Sequence, residues 1–195
     1  IMSPRSELIS GIGSDIKVWH LDSGECIKTL KGHTSTVYAL VISQRGELIS
    51  GSIDRTIKVW NLDSGECTKS LKGHRDRVNA LVMSPRGREL ISGSNDAKIK
   101  VWNLDSGECI KTLEGHTYWV NVLLISSRGE LISGSDDRTI KVWILDSGKC
   151  IKTLKGHQGF VKALVISPRG ELISGSDDKT IKVWNLKCSD ATTNF

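Results

Sequence analysis

Apolar residues along this chain alternate with polar ones or form brief unbroken runs, and nowhere keep the 3.6-residue rhythm of an amphipathic helix. Residues 26–30 alternate, and residues 37–42 are a nearly continuous apolar run. Residues 47–52 begin a second arm, and residues 56–60 set Ile57 and Val59 against Thr56, Lys58 and Trp60. Turn formers separate these segments: Gly32-His33, Ser43-Gln44-Arg45-Gly46, Ile53-Asp54-Arg55 and Asp63-Ser64-Gly65-Glu66. At residues 84–87 and 167–170 the second break reads Ser-Pro-Arg-Gly, with Pro at i+1 and Gly at i+3 as a type I turn prefers. The pattern predicts four short antiparallel strands, and no stretch of ten or more residues predicts a helix.

The same pattern recurs. Ile-Lys-Val-Trp ends at Trp19, Trp60, Trp102, Trp143 and Trp184, in steps of 41, 42, 41 and 41, and Gly-His pairs end at His33, His74, His116 and His157. The extra residue is assigned to Arg88, in a turn, where it leaves the strands in register. Four strands repeated identically every 41 residues describe a blade of a β-propeller rather than a sandwich. The expectation is a single all-β propeller region over 1–195. It has a partial repeat at 1–19, full repeats at 25–60, 66–102, 108–143 and 149–184, and a tail at 185–195 that only weakly resembles an outer strand. Ile1-Met2-Ser3-Pro4 aligns with Val82-Met83-Ser84-Pro85, so the first blade begins inside its inner strand. That blade is also degenerate, because Ser10 to Trp19 is one residue short and the turn Asp is replaced by Gly13 or shifted to Asp15. The chain is therefore expected to be a fragment of a longer propeller or an incomplete five-bladed ring, with closure by self-association through incomplete blades left open.

Gly-His followed by Ser-Gly-Ser-x-Asp-x-Thr-Ile-Lys-Val-Trp at this spacing resembles the WD-repeat propellers over nearly the whole chain. The residue after the last Trp is Asn61, Asn103, Asn185, Ile144 or His20, never the Asp that names the family. Each full repeat contains the composition of a hydrolase triad: His33, Ser50, Asp54; His74, Ser92, Asp96; His116, Ser133, Asp137; His157, Ser174, Asp178. A catalytic centre is needed once, whereas this set recurs four times beside Trp60, Trp102, Trp143 and Trp184. The resemblance implies four structural hydrogen-bonded tetrads, Asp to His to Ser to Trp, and no enzyme.

Composition changes little in this picture. Apolar residues are 38 %, charged residues 25 % and net charge +5, which suits a folded domain. No apolar run approaches the roughly 18 residues of a membrane span, and no membrane association is expected. Cys26, Cys67, Cys109 and Cys150 occupy one slot in successive repeats and make no Cys-x-x-Cys pair, and Cys188 makes the count odd. They read as small buried hydrophobes in a reducing compartment, the cytoplasm or a eukaryotic nucleus, with neither disulfides nor metal. Gly11-Ile12-Gly13-Ser14 precedes no helix and is no dinucleotide fingerprint, so no cofactor is expected. The repeated Lys17, Lys58, Lys100, Lys141 and Lys182, and Lys28, Lys69, Lys111 and Lys152, read as solvated faces that discourage edge pairing.

In so regular a chain the positions that differ between repeats are informative. They cluster after Gly-His, as Thr34-Ser35-Thr36, Arg75-Asp76-Arg77, Thr117-Tyr118-Trp119 and Gln158-Gly159-Phe160. They recur at the second inner-strand residue, as Tyr38, Asn79, Asn121 and Lys162, and before the turn Asp, as Ile53, Asn95, Asp136 and Asp177. In a propeller these loops open on one face, so they should share a rim. Aromatic and Arg side chains there have the composition of a binding hot spot. The reading is a non-catalytic scaffold for a protein or peptide, with Tyr38, Arg75, Arg77, Asn79, Tyr118, Trp119, Asn121, Phe160 and Lys162 as the candidate surface. A blander alternative has Trp119 and Phe160 packing between blades. Two functional alternatives are the substrate-recognition part of a larger protein, such as a ubiquitin-ligase adaptor or a bacterial signalling protein, and binding of nucleic acid or another anion through the same rim.

Overall fold

Successive strand residues face opposite sides of a sheet, yet Leu48 and Ile49 are both wholly buried, so this sheet must be covered on both sides. A computed structural model, which describes residues 1–3, 6–186 and the backbone of 192–193, shows how. Strands β1 (Glu7–Ile12), β2 (Asp15–His20) and β3 (Cys26–Leu30) form the first sheet, and β4 (Val37–Ile42), β5 (Leu48–Ser52), β6 (Thr56–Trp60) and β7 (Cys67–Lys72) the second. The third holds β8 (Val78–Met83), β9 (Glu89–Ser94), β10 (Ile99–Asn103) and β11 (Cys109–Leu113). The fourth holds β12 (Val120–Ile125), β13 (Leu131–Ser135), β14 (Thr139–Ile144) and β15 (Lys149–Lys155). The fifth holds β16 (Val161–Ile166), β17 (Leu172–Ser176), β18 (Ile181–Trp184) and β19 (Thr192–Thr193). Every pairing is antiparallel between consecutive strands, and no helix occurs among the described residues.

The sheets stack as blades through one repeated seam. Ile49, Ile57, Val59 and Leu71 of the second blade pack against Val78, Leu90, Trp102 and Leu104 of the third. The same residue types join the first blade to the second, the third to the fourth and the fourth to the fifth. Each buried Leu, Ile or Val contributes roughly 1.5–3 kcal/mol, so the seams hold the blades together. Close approach depends on the Gly of Ser-Gly-Ser: a Cβ on Gly51 would lie 2.6 Å from Val78, and one on Gly93 2.7 Å from Val120.

The inner strands β4, β8, β12 and β16 adjoin in order, β1, the second strand of the first blade, abuts β4, and the blades form an arc with no closed ring among the described residues. At the two ends the seam residues are uncovered: Ile181 is 67 % exposed, where its equivalent Ile57 is fully buried, and Leu8 is 40 % exposed, where Leu48 is fully buried. Met2 bridges Leu8, as Met83 pairs with Leu90, so the first blade does begin inside its inner strand. Its degenerate turn is a tight hairpin pairing Ile12 with Asp15. The turn containing Arg88 absorbs the extra residue, with the Ser84 amide reaching Glu89 where Ser43 reaches Glu47. In the tail, Thr192 and Thr193 pair with Trp184 and Val183, and residues 187–191, 194 and 195 lie outside the described residues.

Two expectations need correction. Cys26, Cys67 and Cys109 are exposed rather than buried, because each begins an outer strand at a bulge where that strand has no further neighbour. Lys28, Lys69 and Lys111 are not merely solvated. The Lys28 ammonium donates to the Leu62 and Asp63 carbonyls at 2.6 and 2.7 Å, and Lys69 and Lys111 do the same one and two blades on. These lysines tie each outer strand to the next blade's turn.

Candidate functional site

Gly-His places His33 against the seam-lining Trp60, since a Cβ on Gly32 would sit 3.0 Å from the indole. The tetrad follows in order. The Trp60 indole N–H donates to Ser50 Oγ at 2.8 Å, Ser50 Oγ lies 2.7 Å from His33 Nε2, and His33 Nδ1 lies 2.7 Å from Asp54 Oδ2. The chain assigns a neutral imidazole with the proton on Nδ1, so Ser50 donates to Nε2 and accepts from the indole. The same bonds join Trp102, Ser92, His74 and Asp96; Trp143, Ser133, His116 and Asp137; and Trp184, Ser174, His157 and Asp178. In the first blade only the Trp19 to Ser10 bond is formed.

Burial lowers the pKa of His33 although the Asp54 hydrogen bond opposes it. Burial alone would raise the Asp54 carboxyl, but bonds from the Thr56 hydroxyl, the Thr34 and Thr56 amides and His33 override it and bring the pKa to about 2. Asp96 is also held at about 2 against burial, by His74 and the Arg75 and Lys98 amides. Asp137 and Asp178 lie below the ordinary carboxylate range for the same reasons. As chemistry, the set is closed: Ser50, Ser92 and Ser133 have no exposed surface and Ser174 has 1 %, so no substrate carbonyl can reach a serine oxygen.

Above the tetrads, one backbone bond in each full blade joins the loop after Gly-His to the turn before strand three: Ile53 to Thr36, Asn95 to Arg77, Asp136 to Trp119 and Asp177 to Phe160. The variable positions therefore share one face, in two groups. In the first, the Arg77 guanidinium lies 4.2 Å from the Tyr38 ring centroid and 5.8 Å from that of Trp119, and Tyr118 stacks on Trp119 at 5.3 Å. Arg77 Nε donates to Asn79 Oδ1, and Asn79 Nδ2 donates to Asn95 and to the Val120 carbonyl of the next blade. In the second, Asn121 and Lys162 converge on the buried carboxylate of Asp136, Asn121 also reaches the Val161 carbonyl, and Lys162 lies 5.0 Å from the Phe160 ring. The Arg75 side chain is exposed and joins neither group. The face opens on a hollow of about 550 Å³ lined by inner-strand residues including Tyr38, Asn79 and Asn121.

Asn95 and Asp136 are the residues that sequence reasoning left outside the surface, although their variation between repeats was the available signal. Among the described residues, no group of three or more His, Cys, Asp or Glu is placed to hold a metal, and no helix is long and apolar enough to cross a membrane.

Five stacked antiparallel sheets with His-Ser-Trp-Asp tetrads in the seams define a WD-repeat β-propeller, a class that typically serves as a protein-interaction scaffold and is generally non-catalytic. More particularly, the chain belongs to the family described as the WDR3 first beta-propeller domain, whose model matches residues 6–186. A comparison with curated proteins finds no significant match.

Proposed function

We propose that this propeller is a non-catalytic scaffold that binds a peptide or protein on the rim formed by the loops after Gly-His and the turns before strand three. The observation that carries this reading is the stack of Tyr38, Arg77 and Trp119, contributed by three successive blades at the mouth of the hollow. Tyr38 and Tyr118 remain about half exposed, at 52 % and 49 %, which is a large apolar area to leave in water without a partner. Trp119 also supports its neighbour through Arg77, so packing and binding roles coincide in it. Nucleic-acid binding through the same rim gains less support, because the Lys162 ammonium is paired with the Asp136 carboxylate. Exposed thiols at Cys26, Cys67 and Cys109 favour a reducing compartment, the cytoplasm or nucleus.

The test compares proteins captured by the wild-type chain with those captured by Trp119→Ala/Phe160→Ala, with folds matched by circular dichroism. Specific partners should be lost with the variant, Trp119→Ala alone costing about 2 kcal/mol of binding as interface aromatics do. Identical capture by both proteins would remove the rim as the site.

A further inference from the structure

We infer that the rim's ligand is an acidic peptide, with a side-chain carboxylate seated on the guanidinium of Arg77; this rests on the rim being the interaction site. Arg77 is held between the rings of Tyr38 and Trp119, with its Nε engaged by Asn79 Oδ1 at 2.6 Å. Its two Nη nitrogens have no hydrogen-bond partner among the described residues. No buried side-chain nitrogen or oxygen among them lacks a partner, so neither Nη is fully buried. A planar fork of two N–H donors matches a carboxylate bidentately, and one already fixed by stacking loses little freedom on binding. The two rings add a cation–π attraction that helps hold the guanidinium in place.

The neighbouring acids do not satisfy this fork. Asp76 accepts the backbone N–H of Arg77, and Asp136 pairs with the Lys162 ammonium and accepts the Asn121 amide. Before the turn Asp, the fourth and fifth blades carry Asp136 and Asp177, whereas the third carries Asn95, whose oxygen takes the Asn79 amide. The blade that supplies the arginine thus lacks the carboxylate that the fourth and fifth blades carry. Arg75, exposed two residues away, adds a second positive charge, and Tyr118 offers an apolar flank. The ligand that fits is a segment with Asp or Glu beside an apolar residue.

The experiment selects short random peptides displayed against the whole 195-residue chain, then measures selected peptides on Arg77→Gln, Arg77→Lys and Trp119→Ala variants with matched thermal midpoints. Selected sequences should be enriched in Asp and Glu, lose about tenfold or more in affinity on Arg77→Gln and recover part of it on Arg77→Lys, which keeps the charge but not the fork. Peptides that depend on Trp119 but show neither acid enrichment nor sensitivity to Arg77→Gln would overturn the inference and leave the rim reading in place. Selected peptides that bind all three variants as tightly as the wild-type chain would overturn the two together. A preference for labelled oligonucleotide competing at the same residues, with salt-steep affinity, would assign the fork to phosphate instead.

Discussion

Each tetrad serine has one hydroxyl in two hydrogen bonds, donating to a buried imidazole and accepting from a buried indole. Ser133→Ala therefore leaves Trp143 Nε1 and His116 Nε2 unpaired in a seam, and should cost about 2–3 kcal/mol in urea unfolding. The composition that suggests a hydrolase thus has its largest effect on stability. Acid should act through the same residues. Because the folded-state pKa of His33 is lowered, the unfolded chain takes up that proton first, so its share of stability is complete above about pH 6.5 and declines below it. Asp54 and Asp96, at about 2 against an ordinary 3.8, contribute stability that is full above about pH 4 and lost as pH falls toward 2. Urea midpoints should fall steadily from pH 7 to pH 3, and a flat profile would contradict this. The tetrad residues were legible because they recur. The neutral tautomer and the closed access to serine were not, since both depend on packing around the site.

Strands, turns and the 41-residue period follow from local pattern, and the structure places each strand of the full repeats where alternation and turn residues predict it. What each strand touches across the seam was less legible. The Gly of Ser-Gly-Ser reads as a weak point in a strand, but it is the notch that receives the next blade's Val. Gly93→Ala would drive a methyl to 2.7 Å from Val120 and should cost about 1–3 kcal/mol. Gly175→Ala, whose methyl would meet only Ala163 at 3.6 Å, should be nearly neutral in this chain. Paired thermal melts of the two variants check the contrast, and equal losses would mean that the notch is not the cause. The turns carry a similar surprise, for Arg55, Ala97, Arg138 and Lys179 hold φ of 70°, 63°, 68° and 67° without being glycine. Bonds from the turn to the Asp54 carboxylate and the Ser52 hydroxyl, and their repeats, offset that strain.

Over the whole molecule, seams cover both faces of the middle blades and one face of each end blade, so stability should be graded along the arc. Amide hydrogen exchange should be slowest in β5, β9 and β13 and at least about tenfold faster in β1 and β18, where Leu8 and Ile181 are uncovered. Uniform protection would show a unit more cooperative than nearest-neighbour packing allows. The rim belongs to this scale as well, because its stack draws one residue from each of three blades and no single repeat contains it. The amino-acid sequence alone determined the strands, the blade, the repeat and the residues of every tetrad, because these rest on alternation, turn chemistry and one composition recurring at one spacing. Only the tertiary structure decided that Lys28 binds the next blade's carbonyls, that Cys26 lies exposed and that Arg77 lies against both Tyr38 and Trp119. Those contacts join residues tens of positions apart, and they exist only once the seams bring neighbouring blades together.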